Sequence, residues 1–442
     1  MCAASIGHQH IVELLLEKGA NPKLLDVGNS TALHYAAISG QNNVIKSLIA
    51  KGVEIDCRNN DSHTSLHIAT HYGNLEAVLT LLEAGADVNS ATDTGDTPLH
   101  YSAVACHREV TEALINWGAN VNAKDIEKST PLNSAINSKC TGDLVQLLIS
   151  KGADINTKNV ENHTPLHTAC FEGHINVVKC LIKNHADINL QTSQGFTPLL
   201  AAAESNNLLI AEILLDHGAD IDAAQVYGLT SLCIAAKRGY KALAELLLAR
   251  GADINARGGE PLKQAIIAGT RTITELLLKK KDINLAVADN GSTLLHLSAR
   301  NGNWNIGKEL VKRGLEVDAY DDNNCTPLAI AVYNHHKEFV DLLLASGADV
   351  VTKNQDQLYL AVKEGLLEIV ESLLKAGAKN VTYRSDKTKP ESYTENQDIL
   401  KLLRSIDDIF IAVELNDAPA VEQLINEGVP LDARSATYYS LL

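Results

Sequence analysis

Histidine is the residue type in this chain best suited to acid–base chemistry or metal binding, and the 442 residues include 16 histidines. A neutral imidazole can bind zinc, and its charge changes near neutral pH. His67 and His71 are spaced i, i+4, which places both side chains on one face of a helix. No H-E-x-x-H motif surrounds them, and no third ligand is evident in the sequence. We therefore expect no metal-binding residues and no cofactor.

The eight cysteines are scattered along the chain, with no C-x-x-C pair to indicate a redox motif or a metal site. Cys170 and Cys180 fall at apolar positions of helical patterns, where cysteine packs as a small core residue. We expect these thiols to be free, unfolding to be insensitive to reductant, and the protein to be cytoplasmic, with a nuclear location left open. The cysteines are Cys2, Cys57, Cys106, Cys140, Cys170, Cys180, Cys233 and Cys325.

Carboxylates are plentiful, yet they recur at turn positions rather than as a pair suited to general acid–base catalysis. The sequence contains no G-x-G-x-x-G, P-loop, protein-kinase motif or G-x-S-x-G elbow. We therefore predict no catalytic residues and predict that the chain is not an enzyme. The turn carboxylates are Asp87, Asp154, Asp187, Asp220 and Asp253.

Charge and hydropathy argue against two classes of partner. The formal net charge is −16, and the densest basic cluster, residues 279–281, is typical of a solvated helix end. Nucleic acid is therefore not an expected partner. No stretch approaches the roughly 18 apolar residues of a membrane span, so we expect no direct membrane insertion by this segment. The first residues, MCAASIGHQHIVELLLEKGANP, indicate half of a repeat rather than a signal peptide.

One stretch, residues 162–189, shows the repeating unit as NHTPLHTACFEGHINVVKCLIKNHADIN. Thr164 suits a helix N-cap, and Pro165 suits the first helical position. A second apolar pattern, centred on Val178 and Leu181, predicts another short helix. The threonine recurs about every 33 residues, with one step of about 63 where Glu260-Pro261-Leu262 replaces it. The anchors are Thr31, Thr64, Thr97, Thr130, Thr164, Thr197, Thr230, Thr293 and Thr326.

These anchors open the motifs TALHYA, TSLHIA, TPLHYS, TPLHTA and TLLHLS. With this period and these motifs the chain resembles the ankyrin-repeat family over nearly all of its length. The resemblance implies an all-α ankyrin-repeat solenoid of about twelve helix-turn-helix layers, with projecting β-turn fingers. It also implies that the histidine at the fourth motif position bonds locally and ties adjacent repeats together. Those histidines are His34, His67, His100, His167 and His296.

Three segments are expected. Residues 1–378 form a continuous array whose first unit is partial, 379–406 form a polar loop plus an extra helix, and 407–442 form a degenerate terminal repeat cut at the C-terminus. Separate helices are predicted over residues 398–406, 409–415 and 420–426, and the loop over 382–396 is expected to be mobile. Two units, 230–260 and 326–356, are about 30 residues long, so their fingers should be blunt. We interpret the chain as a fragment of a longer array, or as the product of a gene whose bounds are poorly defined.

The resemblance implies a protein–protein interaction scaffold that binds a partner through the concave face of the solenoid and is itself monomeric. A regulatory or targeting arm of a larger channel, pore-forming toxin or modular enzyme is the alternative, with the active part lying outside this chain.

In this family, ligands meet the finger tips and the exposed side of the first helix of each unit. Aromatic and charged side chains at those positions are therefore the predicted partner-binding residues. The alternative is that some of them pack against a neighbouring turn and only stabilise the stack. The predicted residues are Tyr72, Phe171, Glu172, Phe196, Tyr227, Lys237, Arg238, Arg300 and Tyr333.

Overall fold

A computed structural model describes residues 1–140, 142–286, 288–352, 355–378, 390–414, 418–427 and 429. The fold is the predicted all-α repeat fold, in which short helices follow one another in pairs. The first helices of the pairs are α1 Cys2–Ile6, α3 Ala32–Ile38, α5 Ser65–His71, α7 Pro98–Val104, α9 Pro131–Asn137, α11 Pro165–Glu172, α13 Pro198–Glu204, α15 Ser231–Arg238, α17 Ala256–Ile267, α19 Leu294–Arg300, α21 Pro327–Tyr333 and α23 Gln357–Lys363.

Each second helix follows its first helix after a short turn, and most second helices are nine residues long. They are α2 Gln9–Glu17, α4 Asn42–Ala50, α6 Leu75–Glu83, α8 Arg108–Asn116, α10 Gly142–Ser150, α12 Ile175–Lys183, α14 Leu208–Asp216, α16 Lys241–Ala249, α18 Arg271–Leu278, α20 Trp304–Lys312, α22 Lys337–Ala345 and α24 Leu367–Lys375. A 3₁₀ turn (Pro390–Tyr393) and the helices α25 Gln397–Glu414 and α26 Ala418–Asn426 follow.

Sequence chemistry explains where each first helix begins. In the α11 unit, Thr164 has extended backbone and stands at the N-cap, and Pro165 occupies the first helical position, where its missing N–H removes no helical bond. The helix ends at Gly173, whose φ of 80° is favourable only without a Cβ. Such a helix is too short to be stable alone, so its stability depends on the neighbouring repeats.

The core lies where the apolar sides of successive helices meet. In the α11–α12 pair, Leu166, Ala169, Val178 and Leu181 are buried, as the apolar pattern predicts. Equivalent leucines and alanines recur in repeat after repeat, so the core is a thin layer between stacked helices rather than one central mass.

Asparagine side chains join the turns that follow the second helices. Asn122 Oδ1 accepts the Asp154 backbone N–H at 2.7 Å, and its Nδ2 donates to the Gly152 carbonyl at 3.0 Å. Asn189 makes the same pair of bonds to Asp220 and Gly218. The asparagine side-chain amides therefore bond backbone N–H and C=O groups of the next turn, which have no strand partner.

Two places differ from the regular unit, and both coincide with the predicted shortenings. At the start of α17 the backbone is left-handed at Arg257 (φ 54°), Gly258 and Gly259, and helical backbone resumes after Gly259. Before α23, Asp356 caps the helix by accepting the Tyr359 N–H at 2.9 Å. Two short antiparallel hairpins occur: β1 (Ala288–Asp289) with β2 (Ser292–Thr293), and β3 (Val351–Thr352) with β4 (Gln355–Asp356).

The predicted separate helices over 398–406 and 409–415 are wrong, because α25 is one helix from Gln397 to Glu414. Its buried residues Ile399, Leu403, Ile406 and Ile409 follow each other at spacings of three or four, and no Gly or Pro interrupts them. The predicted boundary at 406/407 therefore falls inside a helix. Residues 379–389 of the predicted loop and 430–442 of the terminal repeat lie outside the described residues. The division into three segments stays a prediction.

The chain divides into two compact units. The first comprises residues 1–231 with 249–251, and the second comprises 232–248 with 252–442. Within the first unit, first helices pack on first helices, as α5 does on α7 and α11 on α13. Within the second, α19 packs on α17 and α21 in the same way.

Candidate functional site

The histidines at the fourth motif position have the predicted structural role. His67 Nδ1 accepts the Thr64 backbone N–H at 3.2 Å, so its proton lies on Nε2, which donates to the Asp96 carbonyl of the next finger at 3.2 Å. His167 bonds in the same way to Thr164 and Phe196, at 3.2 and 2.9 Å. His34, His100 and His296 repeat the pattern. Each imidazole therefore joins its own helix start to the following finger.

Burial makes these imidazoles poor acid–base groups. Desolvation lowers the pKa of His67 and of His167 to about 4, although the carbonyl that each one contacts favours the protonated ring. Desolvation is also the main reason why the pKa values of His34, His100 and His296 are lowered. Within the described residues, no group of three or more His, Cys, Asp or Glu side chains is arranged to hold a metal ion.

The expectation that every cysteine is free is wrong for one pair. Cys106 and Cys140 form a disulfide across a sequence separation of 34, with Cα atoms 5.4 Å apart. Each cysteine closes the turn between the first and second helix of its unit, in two successive repeats. Sequence spacing alone could not show this pairing, because the cysteines lie one repeat apart and no local motif marks them. No disulfide involves the other six cysteines in the part of the chain that the structure describes. Cys170 is buried as predicted, whereas Cys180, also predicted to be a core residue, is only partly buried.

In the first unit, the predicted partner-binding residues lie at helix ends and fingers. Tyr72 and Phe171 are both 55% exposed at the C-terminal ends of α5 and α11. Tyr227 is 83% exposed on a finger. Phe196 is half-buried, and its carbonyl accepts the His167 bond. Glu172 is exposed and forms an ion pair with Lys139 of the preceding repeat at 3.8 Å.

Tyr72 lines a cavity of about 340 Å³ together with residues that were not predicted. Tyr101 and His63 form its wall, with the Tyr101 Oη atom 2.6 Å from His63 Nε2. Desolvation raises the pKa of Tyr101 and lowers the pKa of His63, which favours the neutral form of both groups. The His71 ring stands edge-on to both Tyr72 and Tyr101. None of the other predicted residues lines this cavity.

In the second unit, Arg300 and Tyr333 line one cavity of about 700 Å³. Tyr333 is 70% exposed at the end of α21, and Ile330 and Leu360 form apolar lining beside it. Lys237 and Arg238 are exposed at the end of α15. Predicted residues from two successive repeats are thus brought together here.

The missed residues follow a pattern that is visible in the sequence. His63 and Cys325 stand immediately before a threonine anchor, the position that led to the prediction of Phe196. Tyr101 and Ile330 stand four residues after an anchor, on the side of the first helix that faces the finger. A prediction that included both positions would have identified these cavity-lining residues.

No helix within the described ranges has the length and apolar character needed to cross a lipid bilayer.

Comparison with protein families matches a model described as ankyrin repeats (3 copies) to overlapping stretches of the chain. The stretches are residues 1–92, 40–125, 66–159, 132–225, 170–258, 222–287, 262–354 and 322–385.

Several known proteins are similar to parts of the chain. An ankyrin repeat and KH domain-containing protein of Caenorhabditis briggsae is 28% identical over 162 residues, which is 36% of this chain and 5% of that protein. The tyrosine-protein kinase Shark of Drosophila melanogaster is 34% identical over 93 residues, or 20% of this chain and 10% of the kinase. Human ankyrin repeat and SOCS box protein 3 is 32% identical over 115 residues, which is 25% of this chain and 22% of that protein. The chain therefore spans less than a quarter of the length of each of these relatives.

Among solved structures, the human ASB11 ankyrin repeat domain is 26% identical, with a TM-score of 0.45, over 48% of this chain and 95% of that one. The family matches together extend over residues 1–385. The chain belongs to the ankyrin-repeat family.

Proposed function

We propose that this chain is a scaffold that binds a protein partner through the exposed ends of its first helices and the adjoining fingers, which is the concave face in this family. Ankyrin repeats are in general protein–protein interaction modules. The proposal assigns that role to one face of this chain.

The observation that carries the proposal is the exposure of large aromatic side chains at the ends of first helices in different repeats. Tyr72, Phe171 and Tyr333 are each more than half exposed at the ends of first helices. The chain contains only 4 Phe and 12 Tyr, so these exposed rings are a substantial share of its aromatic residues. Aromatic side chains that stay exposed in the free protein gain most from burial in an interface.

The test is a pull-down followed by affinity measurements with the purified partner. We expect Phe171→Ala and Phe196→Ala each to weaken binding by about 1–3 kcal/mol, while the melting temperature barely changes. The matched control is Trp117→Ala, since Trp117 is 45% exposed but ends a second helix. If both phenylalanine variants keep full affinity, or lose it only because they unfold, this face is not the binding site.

A second candidate is a regulatory or targeting arm of a larger protein, such as a channel, a pore-forming toxin or a modular enzyme. Its support is the small share, 5–22%, that the chain spans of relatives that include a tyrosine kinase. An antibody raised against this chain would test the idea on the native polypeptide. A band far larger than a 442-residue protein favours the arm, and a band of matching size rejects it.

A further inference from the structure

In the second unit, the residues near the ends of the first helices form a row in which cationic and apolar side chains alternate. Each one stands two positions before a residue with left-handed backbone, which fixes a common register. All are exposed, including Ile267 at 45% and Tyr333 at 70%. The members of this alternating row, in chain order, are Lys237, Ile267, Arg300, Tyr333 and Lys363.

Hydrogen bonds between repeats hold the successive helix ends next to each other. Thr270 Oγ1 donates to the Ala236 carbonyl at 2.7 Å, beside Lys237. Asn301 Nδ2 donates to the Ile267 carbonyl at 3.1 Å, and the His336 ring contacts the Arg300 carbonyl at 3.1 Å. Packed helices lie about 8–10 Å apart, so the row has one side chain at about that interval.

The cations of the row are not neutralised by nearby acids. Among the described residues, Lys237, Arg300 and Lys363 form no ion pair. Glu364 is next to Lys363 in sequence, and neighbouring helix residues point in different directions. The row is thus a local concentration of positive charge on a chain whose net charge is −16.

Two carboxylates line the cavity between Arg300 and Tyr333, and both already accept backbone hydrogen bonds. Asp321 is 6% exposed, and its Oδ1 accepts the Asn323 and Cys325 N–H groups at 2.9 and 2.8 Å. Asp356 caps α23. These backbone donors stabilise the two negative charges and reduce their effect on a ligand at the rim.

We propose that the alternating row binds an extended acidic segment of a partner protein, in which acidic and apolar residues alternate at every third position. A polyproline II helix has three residues per turn and rises about 3.1 Å per residue, so one face repeats about every 9 Å. That interval matches the helix spacing, so each turn of the ligand can place one side chain on one repeat. The acids meet the cations, and the apolar side chains meet Ile267 and Tyr333. This inference rests on the proposed function and specifies the partner's chemistry.

The probe is a fluorescent peptide of about thirteen residues, Glu-Pro-Pro-Leu-Pro-Pro-Glu-Pro-Pro-Leu-Pro-Pro-Glu, titrated with the full chain at low salt. Its pattern reads the same in both directions, so chain polarity does not matter. Two control peptides are matched in length: one has Lys in place of Glu, and one has the same composition with Glu and Leu grouped at opposite ends.

The protein variant is the triple substitution Lys237→Glu, Arg300→Glu, Lys363→Glu. Its matched control is Lys279→Glu, Lys280→Glu, Lys308→Glu, which changes the net charge equally at exposed lysines on or after second helices. An exposed ion pair contributes up to about fivefold in affinity, so the row variant should weaken binding by about 30-fold or more. The control should change it by less than about threefold.

Binding of the acidic peptide, weaker binding of both control peptides and selective loss in the row variant support the proposal. Equal loss in both variants, or no binding below about 1 mM, overturns it. A single-stranded oligonucleotide of equal charge that binds as tightly and depends on the same residues also overturns it in favour of nucleic acid. If only the melting temperature falls in the row variant, the cations merely stabilise helix ends and the proposal is wrong. A partner that still depends on Phe171 while the peptide fails leaves the proposed function standing.

Discussion

Cys140 forms a disulfide with Cys106 of the preceding repeat. In other repeats, the residue equivalent to Cys140 donates a side-chain hydrogen bond to the end of the preceding repeat's first helix. Asn74 Nδ2 donates to the Ala37 carbonyl at 2.8 Å, and Asn207 Nδ2 donates to the Cys170 carbonyl at 2.8 Å. In both cases the partner repeat carries a glycine where Cys106 stands, because a Cβ there would contact the bridging side chain. The disulfide therefore replaces a recurring hydrogen bond between repeats with a covalent bond.

Reduction should destabilise the repeats that this bond joins. Closing a loop across a sequence separation of 34 restricts the unfolded chain, and its loss should cost about 3–4 kcal/mol. We expect dithiothreitol, or the variant Cys106→Ser/Cys140→Ser, to lower the melting temperature measured by circular dichroism.

The control for this prediction is a double variant that carries, at these two positions, the glycine and asparagine found in other repeats. Cys106→Gly relieves the left-handed backbone at this position (φ 60°), and Cys140→Asn supplies an amide that can donate to the Ala103 carbonyl. This double variant should be more stable than the serine variant, and reductant should not affect its melting temperature. If the native protein melts identically with and without reductant, the bond contributes nothing to stability.

The buried histidines should make stability fall in mildly acidic solution. The pKa of His67 is about 4 in the folded protein and about 6.5 in an unfolded chain. Between these values the unfolded state binds more protons, so the free energy of unfolding decreases as the pH falls through that window. At pH 5 this histidine alone should cost about 2 kcal/mol.

The chain itself suggests the variant that tests this effect. Asn133 replaces the histidine in the α9 unit, and its Oδ1 accepts the Thr130 N–H at 3.2 Å. His67→Asn should therefore keep the helix cap but lose the bond to Asp96, which costs about 1 kcal/mol at pH 7.5. In urea unfolding, the variant should depend less steeply on pH between 6.5 and 4.5 than the wild type. Equal slopes would contradict the assignment, and His10→Asn, at a 99% exposed side chain, should leave the unfolding curves unchanged.

Most of the fold could be predicted because each repeat encodes its boundaries locally. Thr164 and Pro165 begin a helix, Gly173 ends it, and no distant information is needed to place these residues. Even the irregular units were located, because the loss of residues at Gly258 and Gly259 shows directly in the period.

Contacts between repeats were harder to predict, because they depend on which side chains stand one period apart. The bond between Cys106 and Cys140 joins two positions that no local motif relates. Likewise, the contact of His63 with Tyr101 crosses from a finger to the next repeat's first helix. The helix α25 was divided wrongly because a repeat boundary was imposed on an uninterrupted apolar pattern.

A glycine in a helix usually lowers stability, but Gly307 in α20 should be an exception. A Cβ at this position would lie 2.5 Å from Cζ of Phe339, a fully buried side chain on α22. Gly307→Ala gains about 1 kcal/mol of helix propensity and loses about 1–3 kcal/mol to overpacking, so the net effect should be destabilising. Urea unfolding measures the difference.

A smaller side chain opposite Gly307 should weaken this destabilisation. In a Phe339→Leu background, Gly307→Ala should be less harmful than in the wild type, and a double-mutant cycle should show coupling of about 1 kcal/mol. Gly142→Ala is the control, because a Cβ there would have no neighbour closer than the Asn176 carbonyl oxygen at 3.9 Å. That substitution should be neutral or slightly stabilising. If Gly307→Ala stabilises the protein as well, the ring of Phe339 moves away freely and the close approach of these two helices does not limit the packing.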